Sequence, residues 1–195
     1  MRKIFLDCGA HKGESIDVFL RCFDKNNEFE IYSFEPNPQL KNYFKKYKKL
    51  DNFTFINKAV WIKDGFIDFY GLDEGPRRDV GCTINKNKID ISHNEPIRVE
   101  SLSLSNWIKS NFNVEDYIIL KLDIEGAEYD IINNMIKENT FDYINKFYVE
   151  FHVKWMKNTE ILHKNTIENL KNNNINYYFW DALNPAFKPN NSNKI

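Results

Sequence analysis

Apolar residues alternate along the chain between short dense runs and helical stripes, and this alternation sets the expected fold. The run Ile4-Phe5-Leu6 leads through Asp7 and Cys8 into Gly9-Ala10-His11-Lys12-Gly13. A run this short that ends in a glycine turn reads as a buried strand. Ile16, Phe19, Leu20 and Phe23 then recur at i, i+3, i+4 and i+7, which predicts an amphipathic helix. Ile31-Tyr32-Ser33-Phe34 predicts a second strand ending at Glu35. Asn37 has the residue type of an N-cap and Pro38 suits the first helical position, so a second helix follows. Its buried face is Leu40, Tyr43, Phe44 and Tyr47. A third strand covers Phe53 to Val60. The turn signal Asp64-Gly65, between Val60-Trp61-Ile62 and Phe66 to Tyr70, predicts a hairpin-like excursion.

From 71 to 100 the pattern lapses into Gly, Pro, Asn and charge, a long loop of the kind that is either functional or disordered and a candidate substrate-binding segment. Order returns at Trp107-Ile108, and Tyr117 to Asp123 reads as a central strand. Ala127, Ile131, Ile132 and Met135 stripe the next helix. Lys146 to Phe151 is a further strand, a helix spans Ile161 to Leu170, and Ile175 to Trp180 is the last strand. The tail over 184–195 reads as frayed. No repeat or linker interrupts residues 1–195, which are expected to form one domain. Strands alternating with helices imply a mostly parallel sheet covered on both faces, an α/β class.

Composition narrows the partners. Hydrophobic residues make up 42% and aromatics 15% of the 195, enough for a packed core. A net charge of -1 offers no field to attract nucleic acid. No apolar run approaches the roughly 20 residues that span a bilayer, and the N-terminus has no signal-peptide pattern. The 3 cysteines have no metal-ligand spacing, and their odd number argues against a disulfide framework. A cytoplasmic enzyme is expected, with its oligomeric state open.

Chemistry collects at the strand ends. Ligands of open α/β sheets bind outside the carboxyl ends of the strands, and those ends here are Asp7, Glu35, Asp123 and Glu150. Asp-x-Gly-x-x-x-Gly differs from the Gly-x-Gly-x-x-Gly turn that holds a pyrophosphate. An acid at the tip repels a pyrophosphate and suits a ligand with an ammonium group. That favours S-adenosylmethionine over NAD. Glu35 suits a ribose diol in either case, so an NAD-dependent oxidoreductase stays open as an alternative.

The blocks Phe5 to Gly13, Phe34-Glu35-Pro36, Lys58-Ala59-Val60, Leu120 to Glu128 and Val149-Glu150-Phe151-His152 resemble, in order and spacing, the motifs of FkbM-type S-adenosylmethionine-dependent methyltransferases. The most specific is Lys121-Leu122-Asp123-Ile124-Glu125-Gly126-Ala127-Glu128. One departure is Leu102-Ser103, where the family commonly has Leu-Asp before a helix. The resemblance implies a Rossmann-like class I methyltransferase fold: a mostly parallel, doubly wound sheet with an antiparallel C-terminal strand. It implies methyl transfer to a hydroxyl, of a sugar, glycan or small natural product.

By the same resemblance, Asp7, Gly9, Ala10, His11 and Gly13 would hold the methionine end of the cofactor. Glu35 would take the ribose, and Pro36, Asn37, Ala59 and Val60 the adenine, with Asp123 beside the cofactor. Trp61 reads as core. Candidate proton acceptors are His152, Asp123 and Glu125, since an imidazole titrates near neutral pH; a packing role for His152 is the bland alternative. Glu150, His152, Arg77 and Arg78 are candidate substrate contacts, although the two arginines read equally well as exposed loop charge. Glu128 suits the first turn of a helix. Lys121, in an apolar strand, is expected to pair with a carboxylate. Asp123, Glu150 and His152 have donor types that suit a divalent ion; no feature of the sequence demands or indicates a metal, and metal dependence stays open. A non-catalytic module that retains the cofactor pocket is a further alternative.

Overall fold

The computed structural model describes residues 1–72, 81–89, 91 and 95–180. Six strands form one sheet: β1 (Lys3–Cys8), β2 (Glu30–Phe34), β3 (Phe53–Ile56), β7 (Tyr117–Leu122), β8 (Lys146–Val149) and β9 (Tyr178–Phe179), in the order β3-β2-β1-β7-β8-β9. Every pairing in it is parallel. The chain winds outward from β1 in one direction, then restarts at β7 and winds outward in the other. The order therefore reverses between β1 and β7, and the carboxyl ends splay apart there into a crevice.

Two apolar layers sandwich the sheet because alternate side chains of a strand point to opposite faces. Ile4, Leu6 and Cys8 of β1 join Ile118, Leu120 and Leu122 of β7 on one face. Against them pack Leu104 and Ile108 of α2 (Leu104–Asn111), Ile131, Ile132 and Met135 of α3 (Glu128–Lys137), and Leu170 of α4 (Glu160–Asn172). On the other face, Phe5, Ile31, Ile119 and Tyr148 meet Ile16 and Phe19 of α1 (Glu14–Cys22), with Phe44 and Tyr47 beyond. Burying each such side chain contributes about 1.5–3 kcal/mol.

Several expectations are corrected by tertiary pairing. The helix after Asn37 is a run of 3₁₀ turns over Pro38–Tyr47. It buries Leu40, Phe44 and Tyr47 and leaves Tyr43 48% exposed, because the tighter winding moves Tyr43 off the apolar face. The expected third strand over 53–60 splits, and β4 (Ala59–Trp61) leaves for a second sheet ordered β4-β6-β5. β5 (Gly65–Phe69) does not pair with β4 as a hairpin. Instead β6 (Ile97–Ser103), inside what reads as loop, lies between them, parallel to β4 and antiparallel to β5. Its alternating polar residues hid it: Arg98 and Glu100 point outward while Val99 and Ser101 are buried.

The last described strand corrects the expected antiparallel C-terminus. β9 pairs with β8 in parallel, Tyr148 opposite Tyr178. α4 carries the chain back across the sheet before β9 begins, so the strand restarts from the same edge as its neighbours. The tail over 184–195 lies outside the described residues.

Candidate active site

The backbone ladder continues past the strands and draws their acidic ends together. Gly9 N and Ala10 N both donate to Phe34 O at 3.0 Å, and Asp123 N donates to Cys8 O at 3.2 Å. Glu35 N reaches Ile56 O at 3.2 Å, and Glu150 N reaches Leu122 O at 3.0 Å. Gly9 must be glycine, because at φ +82° an added Cβ would lie 1.8 Å from Asp123 O. The close approach of the two loops depends on that missing atom.

A cavity of about 410 Å³ opens over this edge. Gly9, Ala10 and His11 line it at the glycine turn, Glu35, Pro36 and Asn37 at the end of β2, and Ala59 and Val60 at β4. Asp123, Glu125 and Glu150 line the far side with Trp180. Among the expected site residues, Asp7, Gly13 and His152 stand behind the wall rather than in it. Trp61 packs against the core. Arg77 and Arg78 lie outside the described residues.

Asp7 is fully buried and faces inward. Ser15 Oγ donates to its Oδ2 at 2.6 Å, and Lys121 Nζ lies 3.3 Å from its Oδ1. Lys121 is the register partner of Asp7 on the neighbouring strand, which puts both side chains on one face. The same ammonium lies 3.3 Å from Asp123 Oδ2 and donates to Gly9 O at 2.7 Å. Burial by itself would lower the Lys121 pKa, but Asp123 and Asp7 hold it above its ordinary value. Burial pushes the Asp7 carboxyl up, and Lys121 and Ser15 pull it back. The expected lysine–carboxylate pairing is present, and it ties the floor of the turn to Asp123.

Glu35 accepts twice from backbone: Asn37 N donates to Oε1 at 2.8 Å and His11 N to Oε2 at 2.9 Å. Burial raises its pKa to about 7, with those two N–H groups holding it back. Asn37 spends Oδ1 on the N–H of Gln39 at 2.9 Å, and its buried Nδ2 has no hydrogen-bond partner among the described residues. A buried amide donor left open on a cavity wall suits a ligand acceptor.

The opposite side holds a second carboxylate group. His152 is buried, with Nδ1 2.9 Å from Glu128 Oε1. Glu128 is fully buried and also accepts from Ile124 N at 2.9 Å and Gly126 N at 2.9 Å. It therefore shapes the turn and orients the imidazole as well as suiting its helix. His152 Nε2 lies 3.3 Å from Glu125, 3.7 Å from Asp123 and 3.9 Å from Glu150. Burial lowers the His152 pKa, but the hydrogen bond its Nδ1 makes to Glu128 and the neighbouring acids raise it to about 9 overall. Glu150 rises to about 7 through burial and the Asp123 charge, offset by His152. Glu125 sits at φ +59°, a sparsely populated conformation for a residue with a side chain.

Residues 81–89 strap this group down, and sequence reasoning missed them. Thr83 Oγ1 donates to Glu125 O at 2.6 Å and Asn85 Nδ2 to Gly126 O at 2.8 Å. The buried Lys88 Nζ reaches Glu125 Oε2 at 2.6 Å and Gly81 O at 2.7 Å. Nothing local marks Lys88, one more lysine in an Asn- and Lys-rich stretch. Its burial is a purely tertiary fact.

The doubly wound α/β sheet with acidic residues converging at its switch point is the architecture whose ligands, as a class, bind at the carboxyl edge. Comparison identifies the family: the model of the methyltransferase FkbM domain matches residues 7–177, and the chain belongs to that family. The crystal structure of methyltransferase FkbM from Methylobacillus flagellatus KT aligns at 16% identity and TM-score 0.49, covering 87% of this chain and 37% of that one. No curated protein matches. Among the described residues no helix is long and apolar enough to cross a membrane.

Proposed function

We propose that this member of the FkbM methyltransferase family is an S-adenosylmethionine-dependent O-methyltransferase whose acceptor is a hydroxyl of a sugar, glycan or small natural product. The observation that carries the reading is the division of one cavity into two chemically distinct ends. At one end stand Glu35, with two lone-pair-bearing oxygens fixed by backbone N–H groups, and the open amide of Asn37. They suit a ribose diol and a purine edge. At the other end stand Asp123, Glu125 and Glu150.

The residues present fit the cofactor. Glu35 would take the ribose hydroxyls and Asn37 the adenine. Gly9, Ala10 and His11, leading into α1, would face its carboxylate, with Asp123 near its ammonium group. Bound there, S-adenosylmethionine supplies a sulfonium methyl open to in-line attack. The protein's first contribution is orientation: a rigid two-ended cavity holds the acceptor oxygen in line, worth roughly 7–11 kcal/mol where alignment is good. Its second is a proton acceptor, drawn from Asp123 and Glu125 on the cavity wall and worth about 100- to 10,000-fold; His152, behind that wall and kept protonated near neutral pH by the acids around it, is the poorer candidate. Asp7 acts indirectly, holding Lys121 against Asp123.

Calorimetry with S-adenosylhomocysteine tests the cofactor end. Glu35→Ala is expected to weaken binding at least about tenfold, a loss of about 1.4 kcal/mol for a hydrogen bond to a charged group. Unchanged binding overturns the placement. Radiolabelled methyl transfer to a panel of glycans and alcohols then tests the acceptor class; tight cofactor binding without turnover on any of them sinks the enzyme reading.

A further inference from the structure

We propose that Asp123, Glu125 and His152 form a binding site for one divalent cation of the Mg²⁺ or Mn²⁺ class at the acceptor end of the cavity. One ligand atom from each of the three lies within 4.8 Å of the others. Oxygen ligands stand roughly 2.0–2.6 Å from such ions, so two ligands of one ion are no more than roughly 5 Å apart. The three atoms already meet that limit. The sequence grouped Asp123 with Glu150 and His152; the geometry puts Glu125 in the nearer position, with Glu150 at the edge.

The imidazole is the feature that separates this group from an ordinary acidic surface. His152 is 5% exposed, and its Nδ1 is bound to Glu128, itself fully buried. That arrangement fixes the ring and aims Nε2 among the carboxylates. Nε2 makes no hydrogen bond among the described residues and has only the longer contacts to Glu125, Asp123 and Glu150. A buried carboxylate that locks the far nitrogen is the usual outer-shell support of a metal-binding histidine.

Charge balance points the same way. Asp7, Asp123, Glu125, Glu128 and Glu150 converge here against the ammonium groups of Lys121 and Lys88 and the imidazole of His152, which leaves the acids in excess. Lys88 bonds Glu125 Oε2, the oxygen that also lies 3.3 Å from His152 Nε2, so an ion at Glu125 shares that oxygen with the ammonium or takes Oε1. Asp123 and Glu125 are 18% and 27% exposed at their side chains, so they reach the cavity while His152 stays behind them. Two carboxylates and one imidazole match Mn²⁺ or Mg²⁺ better than a thiolate-seeking ion. An ion there has open positions toward the cavity, where an acceptor hydroxyl arrives. His152, Asp123 and Glu125 then serve as ligands, and the hydroxyl proton passes to Glu150, the remaining cavity carboxylate at the edge of the group.

This use of the ion rests on the methyl-transfer reading, while the site itself does not. The experiment is a Mn²⁺ titration of the full chain near neutral pH without cofactor, followed by electron paramagnetic resonance and calorimetry, with Mg²⁺ as competitor. Saturable binding of one Mn²⁺ per chain is expected, weakened at least about tenfold in Asp123→Asn and in His152→Gln. Glu128→Gln, which removes only the support behind the ring, is expected to cost about 10- to 100-fold. Circular dichroism melts identify any variant that fails to fold, and the more exposed Glu125→Gln stands in for it. No saturable binding, or binding unchanged in either folded ligand variant, overturns the site. A parallel titration with S-adenosylhomocysteine in the absence of metal keeps the two readings separate: cofactor binding without Mn²⁺ binding sinks only the ion site.

Discussion

Glu35 keeps a carboxyl group in a pocket wall where both oxygens already accept backbone N–H bonds, yet burial still holds it near pH 7 against an ordinary 4.5. The folded chain therefore binds this proton over a range where the unfolded chain has released it. The stability tied to it is complete below 4.5 and is lost as pH rises through about 7. Urea denaturation between those limits is expected to show a decline that Glu35→Gln flattens. An identical pH slope in the variant refutes the assignment. Affinity for S-adenosylhomocysteine should rise over the same interval, since the ionised carboxylate is the better acceptor for ribose hydroxyls. Gly9 shows a second residue-scale constraint. Gly9→Ala would place a Cβ 1.8 Å from Asp123 O at φ +82°. A loss of about 2 kcal/mol or more is expected, seen as a melting drop of roughly 4–8 °C or more. A melt within a degree or so of wild type would show that the turn tolerates a side chain.

Among the elements, the small sheet β4-β6-β5 and the strap over 81–89 do the least visible work in the sequence and close one side of the cavity. β6 ends at Ser103, which caps α2: its side chain accepts from Asn106 N at 3.4 Å. The departure from the family motif at Leu102-Ser103 therefore leaves the helix start with a side-chain cap. Ser103→Ala is expected to cost about 1 kcal/mol of stability and leave cofactor affinity intact. Chemical denaturation together with calorimetry checks both halves; an unchanged midpoint denies the cap. The site-bearing elements differ from these in how they are specified. β1 and β7 are continuous apolar runs buried on both faces, and such runs stand out locally. β6 has a solvent-facing side and pairs with strands far from it in sequence, so its pattern is ambiguous until its neighbours are known.

For the whole molecule, the reversal of strand order between β1 and β7 places one cavity where Asp7, Glu35, Asp123 and Glu150 end their strands. A ligand that bridges both ends of it binds only the folded chain, and stability then follows mass action. At a hundredfold excess over its Kd, S-adenosylhomocysteine should add about 2.7 kcal/mol, a melting shift of roughly 5–10 °C. NAD should give none. The reverse ranking would favour the oxidoreductase alternative.

The sequence by itself determined the alternation of strands and helices, the glycine turn after β1, and the four acids at the strand ends. Each is written in local periodicity or in a residue type with a narrow backbone preference, and the family motifs rest on the same residues. It also implied that Lys121 would find a carboxylate, because an unpaired ammonium in an apolar strand is too costly. Only the tertiary structure decided which carboxylates those are, that Lys88 closes over Glu125, that Glu128 orients His152, and that β6 separates β4 from β5. Those facts depend on contacts between residues distant in the chain, whose energies arise only after the sheet has brought them together.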